Sequence, residues 1–222
     1  MKEISEATNI LGTNRIKELT DDSKWFGGWY QPIEFPDGTR TISTKDEKFF
    51  ERDSLGIRKW EKVIKPNLPK GKSFLDIGCN AGLHMALSGF DKLWGIERHE
   101  HFFNQCLFAL EQLGIEARII NEDVLDVELP KVDITLMANA LYWVGYSDEG
   151  EFIDNYEQEI DNFLERLSKK TKWLVCVGAE GIDRIGGSLD KTIPVLEKHF
   201  KIEKSEKISL DRELNVIVCK SF

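Results

Sequence analysis

No apolar run in the chain approaches the ~20 residues that a membrane-spanning helix needs. The opening Met1-Lys2-Glu3 is charged and polar where a secretory leader would carry an apolar core. Cysteine is scarce: Cys79, Cys106, Cys176 and Cys219 stand far apart with no CxxC pair. That spacing speaks against a structural zinc or a disulfide framework, and three of the four lie in apolar stretches where a free thiol behaves as a small hydrophobe. Positive charge is short as well. Thirty Lys and Arg face 39 Asp and Glu, for a net charge of −9, which argues against a broad nucleic-acid footprint but not against a local basic patch. Repeats and low-complexity tracts are missing. These absences predict a reduced, cytoplasmic chain. Its 222 residues suit one domain plus a short accessory segment, and 41% apolar residues suffice for a core.

What is present changes character along the chain. "EISEATNILGTNRIKEL" reads as a short helix interrupted at Gly12. The stretch after it, "DDSKWFGGWYQPIEFPDGTRTIST", crowds Trp25, Phe26, Trp29, Tyr30 and Phe35 around a "PDG" turn. "LGIRKWEKVIKPNLPKG" reads as a helix ended by Pro66. From Lys72 onward strands and helices alternate. The strands are "KSFLDIG", "KLWGIE", "EARIINED", "VDITLMANA" and "WLVCVGA". Between them lie the short helix "AGLHMALSG", the longer "HEHFFNQCLFALEQLG" closed by Gly114, and "DEGEFIDNYEQEIDNFLERLSKK". In the last of these, Phe152, Ile153, Tyr156, Ile160, Phe163, Leu164 and Leu167 draw one apolar stripe. "SLDKTIPVLEKHF" is a further helix with Pro194 inside its pattern. Two closing strands, "KIEKSEKISL" and "ELNVIVCK", are joined by "DR" alone, too short for a parallel crossover. The expected fold is α/β: a Rossmann-like, seven-stranded, mostly parallel sheet with an antiparallel last strand, helices on both faces and an N-terminal cap.

In such a sheet ligands bind beyond the carboxyl ends of the strands, near the point where strand order reverses. The first strand ends in "FLDIGCNAG". Gly78 lets a ligand approach the main chain, Asn80 visits left-handed backbone more readily than most residues, and Gly82 permits close helix packing. Glu97 ends the second strand nineteen residues after Gly78, close to the ~20-residue spacing of a ribose-gripping carboxylate. Asp123 is placed at the third tip to accept from an adenine amino group. Val124 beside it offers a backbone N–H and apolar contact. Asp76, two residues before Gly78, would repel a pyrophosphate and suit a ligand that carries an amine. S-adenosyl-L-methionine (SAM) has an amine, a ribose, an adenine and a cationic sulfonium.

"FLDIGCNAG", "LWGIE", "NED" and "DITLMANALYWV" together resemble the class I SAM-dependent methyltransferases, over Lys72 to the C-terminus. The resemblance implies that the Gly78–Gly82 loop lines the methionine part of SAM, with Asp76 near its amino group. It further implies that Glu97 holds the ribose and Asp123 meets the adenine. It divides the chain into a helical and aromatic cap over residues 1–66 and a SAM-binding domain over 67–222. "DGTRTIS…RKWEKVIKPNLP…FLDIGCNAGLHM…ALYW" is also similar to the branch containing tRNA wobble-uridine carboxymethyltransferases. That branch often has Tyr-His where this chain has Tyr142-Trp143.

The acceptor is expected over the end of the fourth strand. Asn139 to Tyr142 keeps an N-x-x-Y frame seen in some amino-group methyltransferases, and Tyr142 and Trp143 supply pocket walls. His84 is a candidate base, because its titration spans neutral pH. Asn139, Tyr142 and His84 are therefore the catalytic candidates. Trp29 and Tyr30 on the aromatic arm, together with Trp143, are candidate acceptor contacts, and Arg40 would add a planar fork for a carboxylate or phosphate. The competing structural roles are core packing for the aromatics, a satisfied helix histidine for His84 and a surface ion pair for Arg40. His99 and His101, two residues apart, leave a helix on different faces, so no metal is expected there. The function so indicated is methyl transfer from SAM to an O or N atom of a small-molecule or saccharide-like acceptor, with no membrane partner. The rivals are a tRNA-modifying (carboxy)methyltransferase, a nicotinamide-dependent oxidoreductase and a non-catalytic SAM-binding protein.

Overall fold

The computed structural model describes residues 29, 31, 33–36, 56–146, 151–179, 182–210 and 212–222. The sequence expectations for Tyr30, Arg40 and most of the N-terminal cap lie outside these residues.

Seven strands form one sheet: β1 (Ser73–Ile77), β2 (Lys92–Ile96), β3 (Arg118–Ile120), β4 (Val132–Ala138), β5 (Thr171–Ala179), β6 (Phe200–Ser209) and β7 (Glu213–Ser221). Their order is β3-β2-β1-β4-β5-β7-β6. All pairs through β4–β5 are parallel, and β7 lies antiparallel to both β5 and β6. The expected sheet is thus present. Its strand order reverses between β1 and β4, which is the switch point where such sheets bind ligands.

Successive residues of each strand point to opposite faces, and the core divides accordingly. Leu75, Ile77, Leu174, Cys176, Ile217 and Cys219 belong to one apolar cluster. Phe74, Val175, Val177, Val216 and Val218 belong to the other. The first face is covered by α3 (Tyr156–Ser168) through Ile160, Phe163, Leu164 and Leu167, and by Leu196 of α4 (Leu189–Leu196). The second face is covered by α1 (Leu83–Ser88), by α2 (Glu100–Gln112) and by the helical segment before β1. That segment passes through a π turn, Trp60–Ile64, into a 3-10 turn, Lys65–Asn67, that contains Pro66.

Two local readings hold and one is corrected. Gly114 has φ 66°, and the Gly114 and Ile115 N–H groups donate to Glu111 O and Leu110 O, a Schellman closure of α2. Pro194 stands inside α4, which starts at Leu189 directly after Ser188, so the helix runs through the proline instead of starting at it. The stripe assigned to one long helix from Phe152 is shorter. α3 starts at Tyr156, behind a left-handed Asn155. Phe152 instead forms an isolated antiparallel bridge with Tyr146, and the Ile153 N–H donates to Gly145 O at 2.8 Å. Contact with the β4 tip therefore overrides local helical periodicity over those residues.

Candidate functional site

A cavity of about 300 Å³ opens over the carboxyl tips of β1, β2 and β4. The β1 strand delivers its acid and then turns sharply. Gly78 has φ 71°, and a side chain there would press on the Ala140 methyl at 3.0 Å. The Gly78 N–H donates to Ile96 O at 2.8 Å, which ties the turn to β2. Asn80 follows in left-handed backbone, φ 51°, and Gly82 caps α1. Gly78 and Asn80 line the cavity, whereas Gly82 lies behind it.

Glu97 is the best-defined element of the wall. Its carboxylate is buried, and its two oxygens accept the Asn80 and His99 N–H groups, each at 3.0 Å. Asn121 donates to the Glu97 and Arg98 carbonyls at 2.8 and 3.0 Å and fixes the strand end beneath them. Burial raises the Glu97 pKa, against the opposing pull of the two N–H donors and of the Arg98 charge.

Asp123 is also held in place. Its Oδ1 accepts the Leu125 N–H at 2.9 Å, and its Oδ2 lies 3.4 Å from Arg98. Arg98 also donates to Tyr146 O, so it links the β3 tip to the β4 side of the cavity. Val124 is buried next to Asp123 and, like it, lines the cavity.

Asp76 is fully buried and does not itself face the cavity. Its Oδ2 is 3.2 Å from His84 Nδ1, and its Oδ1 has no partner among the described residues. His84 is buried, lines the cavity and stacks on Trp60 with ring centres 5.9 Å apart. Lys59, which the sequence reading missed, lines the cavity too. Burial and the charge of Arg212 pull its pKa down to about 8.

The β4 tip supplies the remaining wall. Asn139 has φ 58°, and its buried Oδ1 has no partner among the described residues. Tyr142 is 7% exposed and Trp143 41%, and both line the cavity. Trp143, Tyr146, Phe152 and Tyr156 continue as a chain of ring contacts 4.8–5.0 Å apart.

Trp29 sits elsewhere. It is 1% exposed, meets Phe108 edge-on at 6.2 Å, and belongs to a small cluster with Ala81, Leu83 and Ala109. Its ring packs α1 and α2 and is not part of the cavity wall. Its neighbour Gln31 does reach the cavity, and accepts the Leu83 N–H at 3.0 Å. Gln31, Lys59 and Arg98 were invisible to motif reading, since nothing in their local sequence marks the fold's bringing them to the strand tips.

All four cysteines are free and buried, and no group of three or more potential metal ligands occurs among the described residues. No helix among them is long and apolar enough to cross a membrane.

No family model matches the chain, and no curated protein matches it in sequence. Solved structures do match. The PH0226 protein of Pyrococcus horikoshii superposes with a TM-score of 0.61 at 11% identity, covering 80% of this chain and 93% of that one. The N-methyltransferase NodS of Bradyrhizobium japonicum, in complex with S-adenosyl-L-homocysteine (SAH), gives 0.56 at 13% identity over 94% and 99%. The N-terminal domain of EvdMO1 with SAH bound gives 0.59 at 14% identity over 95% and 100%. At these identities the likeness is one of fold: the chain has the fold of SAM-dependent methyltransferases.

Proposed function

We propose that this chain is a SAM-dependent methyltransferase that moves a methyl group to an O or N atom of a small-molecule acceptor. Glu97 carries the reading. It is a buried carboxylate at the tip of β2, oriented by two backbone N–H groups and open to a cavity at the switch point. Each of its oxygens uses one acceptor site on an N–H and keeps another for a ribose hydroxyl.

The other residues fit the same ligand. Asp123 would accept from the adenine amino group, and Val124 would meet the ring. The bare, left-handed Gly78 turn would admit the methionine part, and the Asp76 carboxylate behind it, whose Oδ1 has no partner among the described residues, would favour the amine by its charge. SAM, when bound, supplies a methyl group on a cationic sulfur, electrophilic toward a lone pair. The protein's share is alignment, exclusion of water and, where the acceptor must lose a proton, a base. His84 fits that last role. A carboxylate at Nδ1 accepts Nδ1–H, so the basic nitrogen is Nε2 on a ring that lines the cavity. Asp76 is then a positioning residue for that ring. Asn139, Tyr142 and Trp143 would bound the acceptor. NodS and EvdMO1, both solved with SAH, support the choice of donor.

Calorimetry with SAH, followed by transfer from methyl-labelled SAM into a metabolite extract, tests the reading. SAH binding and a labelled small molecule are expected. A folded protein that gives no heat with SAM or SAH is not this enzyme. His84→Gln should lower turnover without weakening SAH.

Carboxymethyl transfer to tRNA is a second reading, favoured by one observation. Lys59 faces the cavity, with Arg212 near enough to lower its pKa. A cation in the cavity wall suits a donor with a carboxylate on the transferred carbon. Calorimetric preference for carboxy-SAM over SAM, with steeply salt-dependent tRNA binding, would replace the first reading by the second.

A further inference from the structure

The loop from β5 to α4 carries a cation that the donor site does not use. Arg184 lies in "GIDRIGGS". Its guanidinium carbon is 5.7 Å from the ring centre of Tyr142, 5.3 Å from Trp143 and 4.8 Å from Phe152. Its guanidinium makes no hydrogen bond or ion pair among the described residues. The adjacent acid, Asp183, is taken by Lys191 at 2.9 Å. In a chain with nine more acids than bases, an arginine set against three rings with no carboxylate partner among the described residues calls for an explanation.

Its backbone is tightly determined. Arg184 O accepts the Gly187 and Ser188 N–H groups at 3.0 Å each, and Asn215 donates to Gly187 O at 2.6 Å. The Gly186 N–H donates to Thr192 Oγ1 at 2.7 Å. A side chain on Gly186 would come within 2.6 Å of Tyr142 N, and one on Gly178 of β5 within 1.9 Å of Gly186 O. The loop is therefore locked against the turn that bears Tyr142 and Trp143, and both of those rings line the cavity. The guanidinium carbon lies over all three rings, and the planar fork of an arginine can give a carboxylate or phosphate two parallel hydrogen bonds.

We infer that Arg184 is the anchor for the acceptor, and that the acceptor carries an anionic group, a carboxylate or a phosphate; the word acceptor rests on the methyl-transfer reading above. Charge is distributed to match. Glu97, Glu122 and Asp123 put negative charge on the β2–β3 side of the cavity, which favours a cationic donor. Arg184 is not itself in the lining but stands against Tyr142 and Trp143, which are, and so favours an anion at that edge of the cavity. Arg184 is half-buried against the rings, so an ion pair there is less screened than one on the open surface.

Benzoate, phenyl phosphate and benzamide are suitable probes, because all three carry the same ring and only the first two are anions. Each is titrated into the protein with and without SAH, and read by calorimetry and by tryptophan fluorescence. One of the anions should bind about tenfold or more tightly than benzamide, as one charge-assisted contact would give; the better anion distinguishes carboxylate from phosphate. Arg184→Gln should abolish that preference while SAH still gives heat, and Arg184→Lys should keep part of it. Benzamide binding as well as the anions, no anion binding to the wild type, or an intact preference in the Gln variant would overturn the inference. The wild-type comparison does not depend on any variant folding. Anion preference without SAH binding would keep the anion site and sink methyl transfer; SAH binding without anion preference would do the reverse.

Discussion

At the scale of single residues, the site is built from charges that the fold places at a cost. Glu97 is a carboxylate whose burial raises its pKa, so ionising it in the folded chain is harder than in the unfolded one. The sign follows from linkage. A raised carboxylate lowers stability as pH rises through its folded pKa, and the penalty stays at neutral pH. Glu97→Gln removes that penalty but turns one accepting oxygen into a donor that faces a backbone N–H. The two effects oppose, so stability should change by no more than about 1 kcal/mol. SAH affinity should fall about tenfold to a hundredfold, because the ribose loses a charged acceptor. Parallel thermal melts and SAH titrations check the pair of outcomes. A variant that binds SAH like the wild type would remove Glu97 from the donor site.

Lys59 obeys the same logic with the opposite charge. Its pKa is lowered to about 8 from 10.5, first by burial and then by Arg212. A lowered lysine costs stability wherever both states are protonated, below about 8, and the cost disappears as pH rises toward the unfolded value. Lys59→Met should therefore stabilise the chain at pH 7. The lysine is half-buried, so solvent screening limits the gain to about 1–2 kcal/mol. The wild type, but not the variant, should gain stability between pH 8 and 10.5. Denaturant melts across that range test the sign.

At the scale of elements, the site depends on how closely β5 approaches the loop after it. Gly178 on β5 faces the Gly186 carbonyl with no room for a methyl group. Gly178→Ala should displace the loop or the strand and cost about 2–4 kcal/mol, shifting a urea midpoint while SAH still binds, since the residues proposed to hold the donor lie at the tips of β1, β2 and β3. This contact also marks where sequence reading stops. The alternation of strand and helix was legible because period-2 and period-3.6 apolar patterns differ, and the acids at the β1, β2 and β3 tips were legible because their spacing follows from that alternation. The start of α3 was not. Phe152 and Ile153 fit a helical stripe, but their partners Tyr146 and Gly145 belong to another segment. Lys59, Arg98 and Arg184 were missed for a related reason: each is an ordinary basic residue in its local sequence and becomes distinctive only through what the fold sets against it. The glycines after Arg184 were the one signal available, since a loop rich in glycine next to a strand tip implies close backbone approach.

At the scale of the whole molecule, the donor reading becomes a prediction about stability. A ligand that binds only the folded chain stabilises it by about 2.7 kcal/mol at a hundred times its Kd. For a chain of this size each kcal/mol moves Tm by about 2–4 °C, so SAH at that excess should raise Tm by about 5–10 °C. NAD should not. The β1 loop sets a buried carboxylate, Asp76, beneath the turn where a dinucleotide would seat its pyrophosphate, and like charges repel there. Helix α1, which follows the turn, has six residues and a left-handed Gly82 at its start, a poor substitute for the long helix N-terminus that holds a pyrophosphate in dinucleotide folds. The two ligands share adenine and ribose, so Glu97 and Asp123 alone would not separate them; the discrimination lies at the β1 turn. Equal shifts with SAH and NAD would mean that the turn tolerates phosphate and would return the oxidoreductase reading to first place. A shift with SAH that vanishes in Glu97→Gln would tie the stabilisation to the tip of β2.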